Sequence, residues 1–163
     1  MMNAEFTLLL LGLLAAILAW IAIVDVRTYT ISNGINLAIA LAAPIYWLSA
    51  GIDLWPDAGL RVAVAIAVFL LFAIAFYFNA MGGGDVKLAG ALALWFPPMA
   101  TVKLVVITSL AGGVLTLVVA GLHKYQRKQG RPEVPYGVAI AFGGLWLLAQ
   151  RFLNHFAGMS AGN

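Results

Sequence analysis

The sequence predicts an all-α fold: a polytopic membrane helix bundle of about six transmembrane helices, the fourth of them short, with the N-terminus outside. Three observations predict it. The 163 residues are 64% hydrophobic and only 9% charged, whereas a soluble domain is roughly 45–50% apolar and about 25% charged. The few charges divide the chain into uncharged runs over 6–24, 34–52, 62–84, 88–102, 104–122 and 134–150. All of these except 88–102 are of a length that crosses a bilayer, for which about 20 apolar residues suffice. No linker, low-complexity stretch or soluble segment interrupts the series, so residues 1–163 read as a single integral-membrane domain.

The first run could be a signal peptide, but no Lys or Arg precedes Arg27. The basic n-region is therefore missing, and the run is long enough to span, so it reads as a retained first helix. The second and third runs are ordinary spans. The fourth carries Pro97-Pro98, which limits its helix to about 87–96 and makes it a tilted short span or a re-entrant piece packed against the others. The fifth and sixth are spans separated by the most polar stretch of the chain, 123–133. Gly112-Gly113 and Gly143-Gly144 fall inside these last two spans, where small residues favour close helix packing.

With six spans, the loops near 25–33, 79–87 and 123–133 share one side. That side holds Arg27, Lys87, Lys124, Arg127, Lys128 and Arg131, against only Arg61, Lys103 and Arg151 on the other. Basic residues accumulate on the cytoplasmic side of a membrane protein. The N-terminus is therefore predicted outside, and the basic loop reads as a topology determinant that also contacts anionic lipid.

Chemistry-bearing residues are few. There is no cysteine, which excludes disulfides and thiolate metal sites. His123 and His155 lack metal-ligand spacing. No metal, cofactor or nucleic-acid partner is expected. The apolar run from Val62 onward ends at Gly82-Gly83-Gly84, with Asp85 next and Lys87 two residues later. A carboxylate at the edge of such a run is costly and marks a functional site; glycines beside it let the backbone leave helical geometry and let another group approach. Among the other acidic residues, Glu5, Asp53 and Asp57 fall on the opposite side, and Glu133 neutralises its basic neighbours. Asp25 remains, at the end of the first run and on the same side as Asp85. Two carboxylates in contact cannot both ionise, so one would hold a proton while the other activates water. The plainer alternative is that Asp25 pairs with Arg27 and Asp85 with Lys87 as helix-end charges in the headgroup zone.

At these residues the sequence resembles a family. Gly82-Gly83-Gly84-Asp85 fits the Gly-x-Gly-Asp signature of membrane aspartic peptidases, and the longer Gly-Gly-Gly-Asp-Val-Lys-Leu is similar to that of type IV prepilin peptidases. Asp25-x-Arg27 with Ile31-Ser32-Asn33 is similar to the family's first-aspartate region, where Ser32 replaces the usual Pro. Pro135-Tyr136-Gly137 resembles its Pro-x-Gly entry into the last helix. The resemblance implies an aspartic endopeptidase of the cytoplasmic (inner) membrane that removes the basic leader of a prepilin at the cytoplasmic face. Asp25 and Asp85 map onto its catalytic aspartates. Gly82, Gly83, Gly84 and Lys87 map onto its active-site loop, and Arg27, Asn33, Pro135, Tyr136 and Gly137 onto the architecture nearby. Full-length members add a cytoplasmic, cysteine-bearing domain that methylates the new pilin N-terminus. The segment between Asp25 and the second run is too short to hold one, which implies cleavage without methylation, as in the short peptidases of tight-adherence (Flp-type) pili; archaeal preflagellin peptidases are related. The implied partners are a prepilin, with its basic leader and apolar helix, and membrane lipid. Two other readings compete. A small proton or cation transporter also places carboxylates in glycine-broken helices, although near the midplane. A non-enzymatic pilus-assembly subunit would tolerate Asn at both aspartates.

Overall fold

The structure is a computed structural model that describes residues 4–126 and 133–160, with side chains as far as residue 154. Among the described residues the elements are α1 (Ala4–Thr28), α2 (Asn33–Ser49), α3 (Gly59–Tyr77), α4 (Gly83–Ala93), α5 (Pro98–Tyr125) and α6 (Tyr136–Ser160), with one helical turn at Leu54–Ala58 leading into α3 and no strand. The all-α polytopic bundle is therefore observed. Four segments are long and apolar enough to cross a membrane: α1, α3 with its preceding turn, α5 and α6. Arg127, Lys128 and Arg131, which weigh in the charge reading, lie outside the described residues, as does the side chain of His155.

Helix starts follow local chemistry. Ser32 caps α2: its backbone is extended (φ −62°, ψ 133°) and its hydroxyl accepts the Gly34 N–H at 3.3 Å. That φ is also the one proline prefers, so serine keeps the turn that the resemblance assigns to proline. Pro97 and Pro98 open α5, where a missing N–H costs nothing. At α4, Gly82 is the N-cap and Asp85 reaches back to accept its N–H at 3.2 Å, half of a capping box.

These starts correct the expected boundaries. The third run does not continue as helix to Gly84; α3 ends at Tyr77 and the chain turns at Asn79, which adopts a left-handed φ of 54°. The fourth helix begins at Gly83 and not near 87, because the Asp85 cap draws Gly83 and Gly84 into its first turn. Run 88–102 is divided, and its last residues belong to α5. Charges also fail to mark helix ends. Lys103 rides within α5, Arg61 within α3 and Arg151 within α6, and the two arginines find protein partners, the Trp95 carbonyl and the Tyr46 hydroxyl.

The short α4 is the centre of the bundle. Every residue from Asp85 to Ala93 is buried except Lys87, and a helix covered on all sides has protein, not lipid, as its solvent. It runs antiparallel to α3. A Cβ on Gly83 would meet Phe76, one on Gly90 would meet Phe69, and the Trp95 carbonyl accepts a hydrogen bond from Arg61. The segment thus follows α3 from Phe76 to Arg61, about 22 Å at a rise of about 1.5 Å per residue, although its helix has only 11 residues. The broken backbone beyond it is satisfied by side chains, as a non-helical stretch at membrane depth requires. Trp47 Nε1 donates to the Leu94 carbonyl at 2.9 Å, and the Thr101 hydroxyl lies within 3.5 Å of the Ala93, Phe96 and Pro97 carbonyls. Around α4 the core is closed by Leu14, Leu18, Ile39, Tyr46, Ile140 and Leu148, while Leu9, Leu13, Leu41, Leu70 and Leu117 remain exposed on the outer faces.

Candidate active site

Asp25 lies in the last turns of α1, where that helix's own carbonyls disfavour negative charge. It is nevertheless only 2% exposed. The compensating donors come from the first turn of α6. Val138 N–H donates to Asp25 Oδ2 at 3.1 Å while also reaching the Pro135 carbonyl at 3.2 Å. Asp85, 8% exposed, enters from the first turn of α4. The Gly137 N–H acts on both carboxylates, and the Asp25 charge acts on Asp85. One backbone amide of α6 therefore lies between two carboxylates delivered by α1 and α4.

Asp85 lies outside the four spanning helices. Burial, and then the neighbouring Asp25 charge, push its carboxyl up to about 7; the Gly82 and Gly137 amides oppose the shift without cancelling it. A carboxyl that titrates near neutrality can give or take a proton at working pH.

Close approach explains the glycines. A Cβ on Gly137 would lie 2.7 Å from both Asp25 Oδ2 and Ile31 Cδ1, and one on Gly84 would lie 3.1 Å from the Ile31 carbonyl. Gly137 has no room for a methyl group, and at Gly84 the Ile31 backbone would have to give way to one. Gly82 would place one 2.9 Å from Asp85 Oδ2, whereas at Gly83 the nearest atom is a Phe76 ring carbon at 3.4 Å.

The other residues named from sequence fall as follows. Lys87 Nζ donates to Asn33 Oδ1 at 2.8 Å, which ties the start of α2 to α4. Lys87 therefore has a partner other than Asp85. Pro135 is buried and opens α6. The Tyr136 hydroxyl sits 2.8 Å from Thr116 Oγ1, with its ring against Gly112. Arg27 is exposed, and neither hydrogen bond to the carboxylates comes from it. The pairings Asp25–Arg27 and Asp85–Lys87 are thus not what holds these groups. Glu133 lines a cavity of about 530 Å³ together with Asp85, Gly82, Tyr29, Met81 and Tyr136, so it faces the site, a placement that sequence reasoning missed.

Sequence reasoning also missed Asn36. Only 4% exposed, it donates from Nδ2 to the Gly84 carbonyl at 2.9 Å and clamps the glycine loop from α2, while its Oδ1 has no partner among the described residues. An asparagine inside an uncharged run was the available signal. Gly112, which with Thr116 seats Tyr136, was legible as a close-packing glycine, whereas Thr116 carried no signal. Of the paired glycines, Gly143 packs on Thr108 and Gly144 on Leu18 and Leu92, whereas Gly113 faces open space.

The model of the type IV leader peptidase family matches residues 12–117, a span that contains both aspartates. A prepilin leader peptidase/N-methyltransferase from Burkholderia pseudomallei (strain 1026b) is 33% identical over 143 residues, covering 82% of this chain and 43% of the relative; that of strain K96243 matches equally. A third, from Pectobacterium carotovorum subsp. carotovorum, is 27% identical over 146 residues, 87% of this chain and 51% of the relative. The chain thus spans about half the length of the curated relatives it matches. No solved structure matches it significantly.

Proposed function

The chain belongs to the type IV leader peptidase family, and from that premise we propose that it is a membrane-embedded aspartic endopeptidase that removes the leader of a type IV, Flp-like prepilin at the cytoplasmic face of the inner membrane. Residues 1–163 act together as the peptidase domain. The observation that carries the reading is the convergence of two buried carboxylates, Asp25 and Asp85, on the first turn of α6.

In the proposed reaction the pair shares one proton. The ionised member takes a proton from a water held between them, and the hydroxide attacks the scissile carbonyl carbon. The protonated member donates to the carbonyl oxygen. Collapse of the tetrahedral intermediate breaks the C–N bond: the leaving amine takes up the proton first removed from water, and one hydroxyl of the intermediate returns its proton to the carboxylate that had donated, which restores the pair. No covalent intermediate forms. Asp85, titrating near 7, suits a group that changes protonation within each turnover. Because the two sites are coupled, the proton belongs to the pair and not to one residue.

The substrate's apolar helix lies in the membrane against the bundle, and its basic leader reaches the cavity beside Asp85. Glu133 at that cavity has the charge opposite to a basic leader. Arg27, Lys87 and Lys124 stand at the aspartate end of their helices, which supports a cytoplasmic site.

The test is co-expression of a prepilin with wild type, Asp25→Asn or Asp85→Asn, reading leader removal by gel shift and enzyme abundance by immunoblot. Both variants are expected to lose processing at normal abundance. Efficient cleavage by either would sink the dyad and return the protein to a transport or assembly role.

A further inference from the structure

Arg61, Lys103 and Arg151 come from α3, α5 and α6, yet all three line one pocket at the end of the bundle opposite the aspartates. The pocket has a volume of about 420 Å³, and none of its lining residues is a carboxylate. Asp57 acts on Arg61 from outside it, while Arg61 and Arg151 act on each other with like charge. Gln150 and Asn154 add neutral polar groups to the same wall. Cations that merely snorkel leave for water separately; here cations from three helices line one pocket, and two of them act on each other with like charge.

The two guanidinium groups are also oriented. Arg61 Nη1 donates to the Trp95 carbonyl at 3.2 Å. Arg151 Nη1 donates to the Tyr46 hydroxyl, and its Cζ lies 5.4 Å from the centre of the Tyr46 ring. Tyr46 is itself stacked on Trp95 with ring centroids 5.1 Å apart, so one aromatic pair positions both arginines. A guanidinium has about five N–H donors, and one contact each leaves most of the fork available for a planar or tetrahedral oxyanion.

We propose that this pocket binds the phosphodiester headgroup of an anionic phospholipid in the leaflet opposite the aspartates. The lipid, and not a free phosphate, is favoured by the pocket's surroundings. Beside the cations its lining is apolar, with Ala50, Ile52, Phe96, Ala100 and Leu147, a surface suited to the start of acyl chains. The site is separate from the proposed chemistry and does not depend on it.

The experiment compares purified protein in nanodiscs of phosphatidylcholine alone, of phosphatidylcholine with phosphatidylglycerol, and of phosphatidylcholine with added inorganic phosphate. Tryptophan fluorescence gives the unfolding midpoint, and native mass spectrometry gives the lipid retained. Phosphatidylglycerol is expected to raise the midpoint and to remain bound, where the other two conditions do neither. Arg61→Gln, Arg151→Gln and Lys103→Gln are each expected to weaken retention about fivefold, the effect of one basic residue beside an anionic headgroup. Lys103 is exposed, so its variant carries the test should an arginine variant misfold. Equal retention by the variants, equal binding of phosphatidylcholine, or an equal gain from inorganic phosphate would overturn the proposal.

Discussion

A methyl group added at Gly84 would sit 3.1 Å from the Ile31 carbonyl oxygen, and one added at Gly137 would sit 2.7 Å from Asp25 Oδ2. Both glycines let backbone lie directly against site groups, so Gly84→Ala and Gly137→Ala must move either the loop or the carboxylate. Displacements of about 1 Å at a reacting group cost on the order of a hundredfold in rate. Gly137→Ala is expected to lose leader cleavage on that scale and Gly84→Ala to lose less, whereas Gly83→Ala, which meets only the edge of Phe76, retains most of it in the same gel-shift assay. Retained activity in Gly137→Ala would contradict the geometry. Asp85 offers a second measurement. Its carboxyl moves from 3.8 to about 7 on folding. The folded protein therefore keeps a proton that the unfolded chain releases between those values, and stability falls as pH rises through that window. Asp85→Asn removes the titration while leaving an oxygen to cap Gly82. It is expected to raise the unfolding temperature relative to wild type at pH 8 but not at pH 4, while abolishing cleavage. A fall in stability at pH 8 would mean that Asp85 serves the fold through its charge. The aspartates were legible in sequence because carboxylates are rare in apolar surroundings, and Gly84 because it closes a run of three glycines directly before Asp85. Asn36 stood out only as a polar residue in an uncharged run, and neither its role nor that of Glu133 could be read, because those roles depend on which neighbour they face.

At the level of elements, α4 shows how a helix of 11 residues takes a place in a membrane bundle. The carbonyls beyond its end are met by Trp47, Arg61 and Thr101. Trp47→Phe keeps the apolar ring but leaves the Leu94 carbonyl without its donor, at a cost of about 1–3 kcal/mol for a buried unsatisfied group. A lowered denaturation midpoint in detergent is the expected outcome, and an unchanged one would show that another donor satisfies that carbonyl. The uncharged run 88–102 and its two prolines pointed to something short and irregular. They could not show that the break would fall at Ala93 and that residues from Pro98 onward would join α5, because the division depends on hydrogen bonds from three other helices. Helix ends were misplaced for a related reason. A charge marks a boundary only where its side chain must end the helix to reach a partner; Lys103, Arg61 and Arg151 ride within helices and reach their surroundings through long side chains.

For the whole molecule the open quantity is orientation, and the chain's lack of cysteine makes it measurable. Asp53 precedes the turn into α3 and Gln126 follows α5, at opposite ends of the bundle. In intact cells an impermeant maleimide is expected to label Asp53→Cys and to reach Gln126→Cys only after permeabilisation. The reverse pattern would put the aspartates outside and exclude leader cleavage at the cytoplasmic face. By itself the sequence determined the medium and the reagents. Its hydropathy required helices surrounded by lipid, since only internally bonded backbone survives there, and its rare acidic residues singled out Asp25 and Asp85. Tertiary structure alone decided that α4 is the centre, that the Gly137 amide stands between the two carboxylates, and that three cations from distant helices share one pocket. Hydropathy and charge describe what each residue tolerates around it. Which amide meets which carboxylate depends on how the helices are rotated and packed, and that is settled only when their surfaces close on one another.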